Sequence, residues 1–242
     1  MPRYPRSMTL SEGFCFHKTW KGHNGEWNIN TPSEKRAYLD FLSQEHQKIS
    51  PKKNPLRAIC VMSNHVHEIY TLDVLEIFCK FMRSHHSRYG MYFNKKHQRH
   101  GKVAQDRPHT SLMENHHYEM MATFYIHANP LRAGICKDAS SYQWSTHALY
   151  AFGKRASWMK DFWICFPKWY MALGKTWAQR QKVYRKLFAQ YLKKFGEEKI
   201  KFLTFGFGTS IWTHNRKYLC RTKKPTFSDT NKNAPPSKFN SL

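Results

Sequence analysis

Between Gly13 and Trp20, Phe14 and Phe16 alternate with polar neighbours, a period-two pattern that predicts a first β-strand. A loop through Lys21-Gly22-His23-Asn24-Gly25 follows. Thr31-Pro32-Ser33-Glu34 then reads as a helix start. Thr31 can cap, Pro32 suits the first helical position and Glu34 completes a capping box. This helix is expected to run to about Lys48, where Ser50-Pro51 stops it. Leu56 to Met62 is an apolar, β-like run, Ser63-Asn64 a turn, and His65 to Thr71 the returning strand. Asp73 is placed to cap a long helix with Leu75, Phe78, Cys79 and Met82 at core spacing. Gly101 to Met113 has hairpin character broken by Pro108, and Asn115 can cap a further helix reaching Ala128. Pro130 disfavours helical geometry at the residue before it, which sets Asn129 at the helix end. The order β-α-β-β-α-β-α predicts an α+β fold, a ferredoxin-like antiparallel sheet with helices packed on one face.

The pattern changes beyond Gly153. Trp158, Phe162, Trp163, Phe166, Trp169 and Tyr170 form an aromatic segment, followed by a basic helix from about Thr176 to Lys194. From Arg221 onward the chain is polar and proline-containing, a composition that predicts disorder. The expected division is therefore a domain over 1–152, a helical extension over 153–220 and a tail over 221–242.

Charge narrows the class of partner. Forty Lys and Arg against sixteen Asp and Glu give +24 on 242 residues, and aromatics make up 16%. Such an excess favours a polyanion through counterion release, and rings offer surfaces on which unpaired bases stack. Nucleic acid fits this balance better than an acidic membrane. The six cysteines are scattered without a Cys-x-x-Cys pair, which speaks against a zinc ribbon and against a disulfide framework. No apolar stretch has transmembrane length, and Met1 to Arg6 lacks the apolar segment of a signal peptide. A cytoplasmic protein without a membrane partner is the simplest expectation.

Candidate chemistry centres on His65 and His67. Side chains two apart on a strand share a face, so the imidazoles would stand side by side, a geometry that suits a divalent metal. An isolated His-x-His pair is more often an ordinary strand feature than a site. The helix before Pro130 supplies the rest: Tyr125 and Asn129 are four apart and share a helix face. If that face packs beside the strand, two imidazoles and one amide oxygen could hold a metal, with the Tyr125 hydroxyl near a phosphate bound to it. Nitrogen and oxygen ligands are compatible with Mg²⁺ or Mn²⁺, and the histidines favour Mn²⁺ in raw affinity.

Met62-Ser63-Asn64-His65-Val66-His67 resembles the HUH motif of single-tyrosine transposases. Tyr125-Ile126 through Asn129-Pro130-Leu131-Arg132-Ala133-Gly134 resembles the nucleophile segment of their REP-associated branch. Arg88-Tyr89 to Phe93-Asn94, Gly101, Gln105-Asp106-Arg107 and Trp144-Ser145 fit the same branch in order, so the match spans roughly residues 10 to 150. Ser63 stands where the branch usually has proline. Glu68 and Tyr70 replace aliphatic residues, and Glu68 is expected to face away from the histidines.

The resemblance implies an HUH endonuclease of single-stranded DNA. Such an enzyme acts beside short hairpins such as repetitive extragenic palindromes and leaves a 5′-phosphotyrosine and a free 3′-OH. It implies Tyr125 as nucleophile, His65, His67 and Asn129 as ligands of Mg²⁺ or Mn²⁺, and a place in the bacterial cytoplasm or nucleoid. Arg83, Arg88, Arg107, Arg132, Arg180, Lys182 and Arg185 are the candidate DNA contacts. For Arg107 a fold-supporting salt bridge is an equal alternative. Tyr118 and His127 are expected to stay outside the chemistry, Tyr118 as packing and His127 facing solvent or local backbone. Rival readings are an HUH replication initiator or relaxase, an idle hairpin-binding regulator, and a small-molecule phosphoesterase. Either a monomer or a homodimer is compatible with the sequence.

Overall fold

The computed structural model describes residues 4–160, 162 and 164–222. After a short helix α1 (Arg6–Thr9) come β1 (Cys15–Lys21), α2 (Pro32–Ile49), β2 (Leu56–Val61), β3 (His65–Thr71), α3 (Leu75–Lys96), β4 (His109–Leu112) and α4 (His116–Arg132). The four strands form one antiparallel sheet in the order β2-β3-β1-β4. This is the α+β antiparallel sheet the patterning predicts, except that helices pack on both faces and not on one. Helices α2 and α3 cover one face and pair with each other, while α4 crosses the opposite face.

Several helix ends follow the local sequence. Thr31 caps α2 with its capping box formed, since Glu34 N–H donates to Thr31 Oγ1 and the Glu34 carboxylate accepts from Thr31 N–H. Asn115 caps α4 by accepting from His117 and Tyr118 N–H. Three expectations are corrected. Asp73 does not cap α3: its carboxylate accepts from the Asn54 N–H, and Glu12 instead accepts from the Leu75 N–H at 2.8 Å. Residues 101–113 form no hairpin, because β4 pairs with β1 from the start of the domain. Helix α4 does not stop at Ala128 but runs through Pro130 to Arg132. It closes one turn later, where Ile135 N–H donates to Pro130 C=O and Gly134 N–H to Leu131 C=O, with Gly134 at φ +65°. A left-handed residue there completes a Schellman end, and glycine adopts it without side-chain cost.

On the α2/α3 face the core is aromatic, with Phe16, Trp20, Tyr38, Tyr70, Phe78 and Phe81 fully buried. Amid it Lys18 Nζ meets Glu68 Oε2 at 2.6 Å, both side chains excluded from solvent. The Tyr38 and Tyr70 hydroxyls donate to the same carboxylate at 2.6 and 2.8 Å, so its oxygens are satisfied. Glu68 thus faces away from His65 and His67, as strand alternation requires.

Beyond α4 lie α5 (His147–Phe152), α6 (Lys168–Met171), α7 (Trp177–Phe195) and α8 (Ser210–Thr222). The α7 stripe Tyr184, Phe188 and Tyr191 packs around Phe124 of α4, with ring centroids 5.5 to 5.8 Å apart. Trp158, Phe162, Trp169 and Tyr170 of the aromatic segment are buried, so those rings build core and do not present faces to bases. Trp163 lies outside the described residues. Arg221 and Thr222 belong to α8, which corrects the start of the expected tail, and residues 223–242 lie outside the described residues. Both sheet edges are covered. Residues 144–146 bond to β2, and Phe207 exchanges hydrogen bonds with Leu112 and Glu114 beside β4. All six cysteines are free. No helix among the described residues is long and apolar enough to cross a membrane.

Candidate active site

Strand β3 turns His65, His67 and Ile69 toward α4. The two imidazole centroids are 4.8 Å apart with nearly perpendicular planes. His65 Nδ1 lies 2.6 Å from Asn64 Oδ1, an acceptor, so the ring donates there and keeps a lone pair on Nε2. His67 Nδ1 lies 2.8 Å from His17 Nε2 and 3.3 Å from Thr19 Oγ1. In both rings Nδ1 is engaged and Nε2 is the nitrogen left for a ligand.

Helix α4 brings Tyr125 to this pair. Its ring meets His67 edge to face, with centroids 5.9 Å apart and planes at 88°. The helix is held there by a buried chain of polar contacts. His127 Nδ1 contacts the Tyr184 hydroxyl at 2.6 Å and its Nε2 contacts Thr146 Oγ1 at 2.8 Å, while Thr146 also bonds the backbone of Ile59 in β2. His127 is therefore neither solvent-facing nor bound to local backbone. It ties α4, which carries Tyr125, to the sheet edge and to α7. Tyr118, seven residues earlier, packs edge-on against Phe207.

Asn129 is buried one turn beyond Tyr125. Its Oδ1 accepts a hydrogen bond from Arg132, and its Nδ2 is buried without a partner. Arg132 also donates to the Tyr125 carbonyl and lies over the Tyr125 ring, with Cζ 4.1 Å from the centroid. One guanidinium therefore contacts both candidate side chains of the helix.

Burial sets the charge state of the pair. It lowers the imidazolium of His65 to about 4, with Lys21 adding to the effect. It lowers His67 well below its ordinary value, helped by the neighbouring His17, His65 and Arg132. Both rings are neutral at pH 7, the state in which imidazole binds a metal. The donors present suit a divalent ion: two neutral imidazoles with their second nitrogens anchored, and one amide oxygen that a cation would share with Arg132. Among the described residues no cluster of three or more His, Cys, Asp or Glu is placed to hold a metal.

Beside His65 opens a cleft of about 500 Å³ lined by Trp27, Met62, Asn64, Ile135, Tyr142 and Trp144 among others, with Trp27 two-thirds exposed. On the other side, the Phe202 ring stacks on His17 at 3.8 Å and meets Tyr125 at 5.3 Å. His17 and Phe202 are the two site residues that sequence reasoning does not single out. His17 shares a face with Thr19 on β1, and only the β1–β3 pairing, Thr19 opposite His67, reveals its place. Phe202 carries no local signal.

The remaining candidate DNA contacts are spread over the surface. Arg83 and Arg88 line a groove of about 650 Å³ with Lys48 and Lys80 on the α2/α3 side, across the sheet from Tyr125. Arg88 pairs with Glu45 at 2.6 Å and stacks over Phe41. Arg107 donates to the Tyr4 carbonyl at 2.7 Å. On α7, Arg180 stacks on Trp177 and bonds the Met171 carbonyl, Arg185 bonds the Ala151 carbonyl, and Lys182 is exposed.

Neither a protein-family model nor a curated protein matches the chain. Among solved structures it is similar to a REP-associated tyrosine transposase bound to a REP hairpin. The identity is 19% and the TM-score 0.52, over 68% of this chain and 92% of that one. The fold is thus the α+β fold of that transposase, with its four-stranded antiparallel sheet.

Proposed function

We propose that this protein is a divalent-metal-dependent single-strand DNA endonuclease and strand transferase of the tyrosine transposase type, working beside DNA hairpins. The observation that carries the reading is the packing of Tyr125 on His67 across the α4–β3 contact, with Arg132 over the phenol ring. The fold shared with a hairpin-bound transposase and the charge of +24 support the choice of substrate.

In this reading His65, His67 and Asn129 hold Mg²⁺ or Mn²⁺. When bound, such an ion polarises a non-bridging phosphate oxygen and offsets charge that builds up in the transition state. The chain's own groups do the rest. Tyr125 Oη attacks phosphorus, an Oη–P bond forms and the P–O3′ bond breaks. The phenol proton leaves to solvent, and the departing 3′ oxygen takes up a proton. The product is a 5′-phosphotyrosine with a free 3′-OH, and attack by a 3′-OH reverses the step and reseals a strand. Arg132 is placed to meet the phosphate as it approaches Tyr125, since its planar fork matches phosphate oxygens. The cleft lined by Trp27 and Trp144 would take unpaired nucleotides next to the scissile phosphate. The exposed basic face of α7, with Lys182, would contact the hairpin backbone. We place the catalytic unit in residues 1–152 and assign 153–220 to support and DNA contact.

The test is incubation of end-labelled hairpin DNA carrying a single-stranded flank with protein and Mg²⁺ or Mn²⁺, followed by denaturing gels. A slow-migrating covalent adduct is expected, absent without metal and absent in Tyr125→Phe. Tight binding without cleavage under every metal would favour the idle regulator. An adduct that persists in Tyr125→Phe would remove Tyr125 from its role.

A further inference from the structure

We infer that His17 is a positioning residue that fixes His67 with the lone pair of its Nε2 directed to the divalent metal; this rests on the metal-site reading above. His17 sits on β1 with no solvent exposure, and its Nε2 lies 2.8 Å from His67 Nδ1. Its ring is held at face and edge. Phe202 stacks on its face at 3.8 Å and 26°, and His67 meets its edge nearly in plane, with centroids 4.9 Å apart at 25°. Phe202 fixes the plane of His17, and the edge contact aims His17 Nε2 at His67 Nδ1, which limits how far the His67 ring can turn.

The proton between the two histidines can sit in one of two places. If His17 donates from Nε2, His67 must carry its own proton on Nε2 and has no lone pair there. If His67 donates from Nδ1, its Nε2 is a free ligand, and neutral His17 carries its proton on Nδ1. Metal on His67 Nε2 selects the second arrangement, in which His17 is an acceptor. Its Nδ1 is buried with no hydrogen-bond partner, so an apolar residue would fit this place in the core with fewer unmet polar groups. A group kept at that cost to the fold is accounted for by what its other nitrogen does. Asn64 plays the matching part for His65, accepting from Nδ1 at 2.6 Å. Each candidate ligand thus has its own acceptor behind it, the arrangement by which proteins orient metal-binding imidazoles.

The experiment is calorimetric titration of the DNA-free full chain with Mn²⁺, for wild type, His17→Phe and His17→Gln, with thermal unfolding recorded for each. Phenylalanine keeps a ring against Phe202 and removes the nearer acceptor, leaving only Thr19 Oγ1 at 3.3 Å; glutamine returns an acceptor near the Nε2 position. A loss of ~10- to 100-fold in Mn²⁺ affinity is expected for His17→Phe, with recovery to within a few-fold in His17→Gln. Both variants are expected to unfold near the wild-type temperature. Wild-type affinity in a folded His17→Phe overturns the inference, as does a folded His17→Gln as weak as His17→Phe. Should phenylalanine not be tolerated, His17→Leu provides the same comparison. If wild type itself does not bind Mn²⁺, the metal reading fails and this inference falls with it.

Discussion

Acid should unfold this protein unusually early, and the histidines are the reason. Burial holds His17, His67, His85, His86 and His127 well below the ordinary imidazole value, and lowers His65 and His147 to about 4. In the unfolded chain each takes up a proton near 6.5. Neutrality of these rings therefore supports the fold above pH 6.5, and that support is lost as pH falls toward 4, because protons bind the unfolded state first. A fall from 6.5 to about 4 corresponds to about 3 kcal/mol for each of His65 and His147, at ~1.4 kcal/mol per pKa unit. Together that is a large part of the ~5–15 kcal/mol that stabilises a typical domain. The assay is urea unfolding at fixed ionic strength from pH 7 to 5. Between pH 6 and 5 stability should drop by at least about 2 kcal/mol, the uptake of roughly two protons. Carboxylates act in a lower window: Glu34, drawn down to about 2 by its bonds to Thr31, Lys96 and His97 against the effect of burial, loses its contribution only below its ordinary range. A drop of less than ~1 kcal/mol between pH 6 and 5 would refute the claim that these rings are held neutral, and with it the ready lone pairs of His65 and His67.

Three other outcomes follow from the same structure. Lys18→Met leaves Glu68 buried without its counter-charge and should cost ~3–5 kcal/mol in chemical denaturation; an unchanged midpoint would contradict the buried pair. Gly134→Ala should cost about 1–2 kcal/mol although nothing lies within 4 Å of the added methyl, because the penalty comes from φ +65° alone; thermal unfolding measures it. Arg132→Ala removes the cation from the Tyr125 ring and from Asn129 Oδ1, and should slow adduct formation by ~10²-fold in a time course while the far-ultraviolet spectrum is kept.

Local signals carried the fold a long way. The Thr31-Pro32-Ser33-Glu34 start, the Ser63-Asn64 turn and the Asn115 cap are decided within four residues, and each stands where short-range rules place it. His65 and His67 share a face because strand alternation is local. What escaped depends on distant partners. Asp73 has capping chemistry, but Asn54 takes its carboxylate and Glu12 takes its place. Pro130 reads as a stop, yet the Schellman closure at Gly134 and the packing of α4 carry the helix past it. Which way the aromatic run from Trp158 to Tyr170 faces is not local either: Trp158, Phe162, Trp169 and Tyr170 are buried, Trp169 against Phe124 of α4. His17 is silent in the sequence because its role exists only through the β1–β3 register, which no neighbour of His17 encodes.

Strand cleavage by the proposed route requires that Tyr125 become covalently joined to DNA. Its most direct test is mass spectrometry of the protein after reaction with a hairpin substrate, nuclease trimming and proteolysis. A nucleotide-phosphate adduct is expected on the peptide containing Tyr125, with fragment ions that place the mass on that residue. An adduct on Tyr118 or on any other residue, or 3′-OH ends generated with no protein-linked nucleotide, would contradict it.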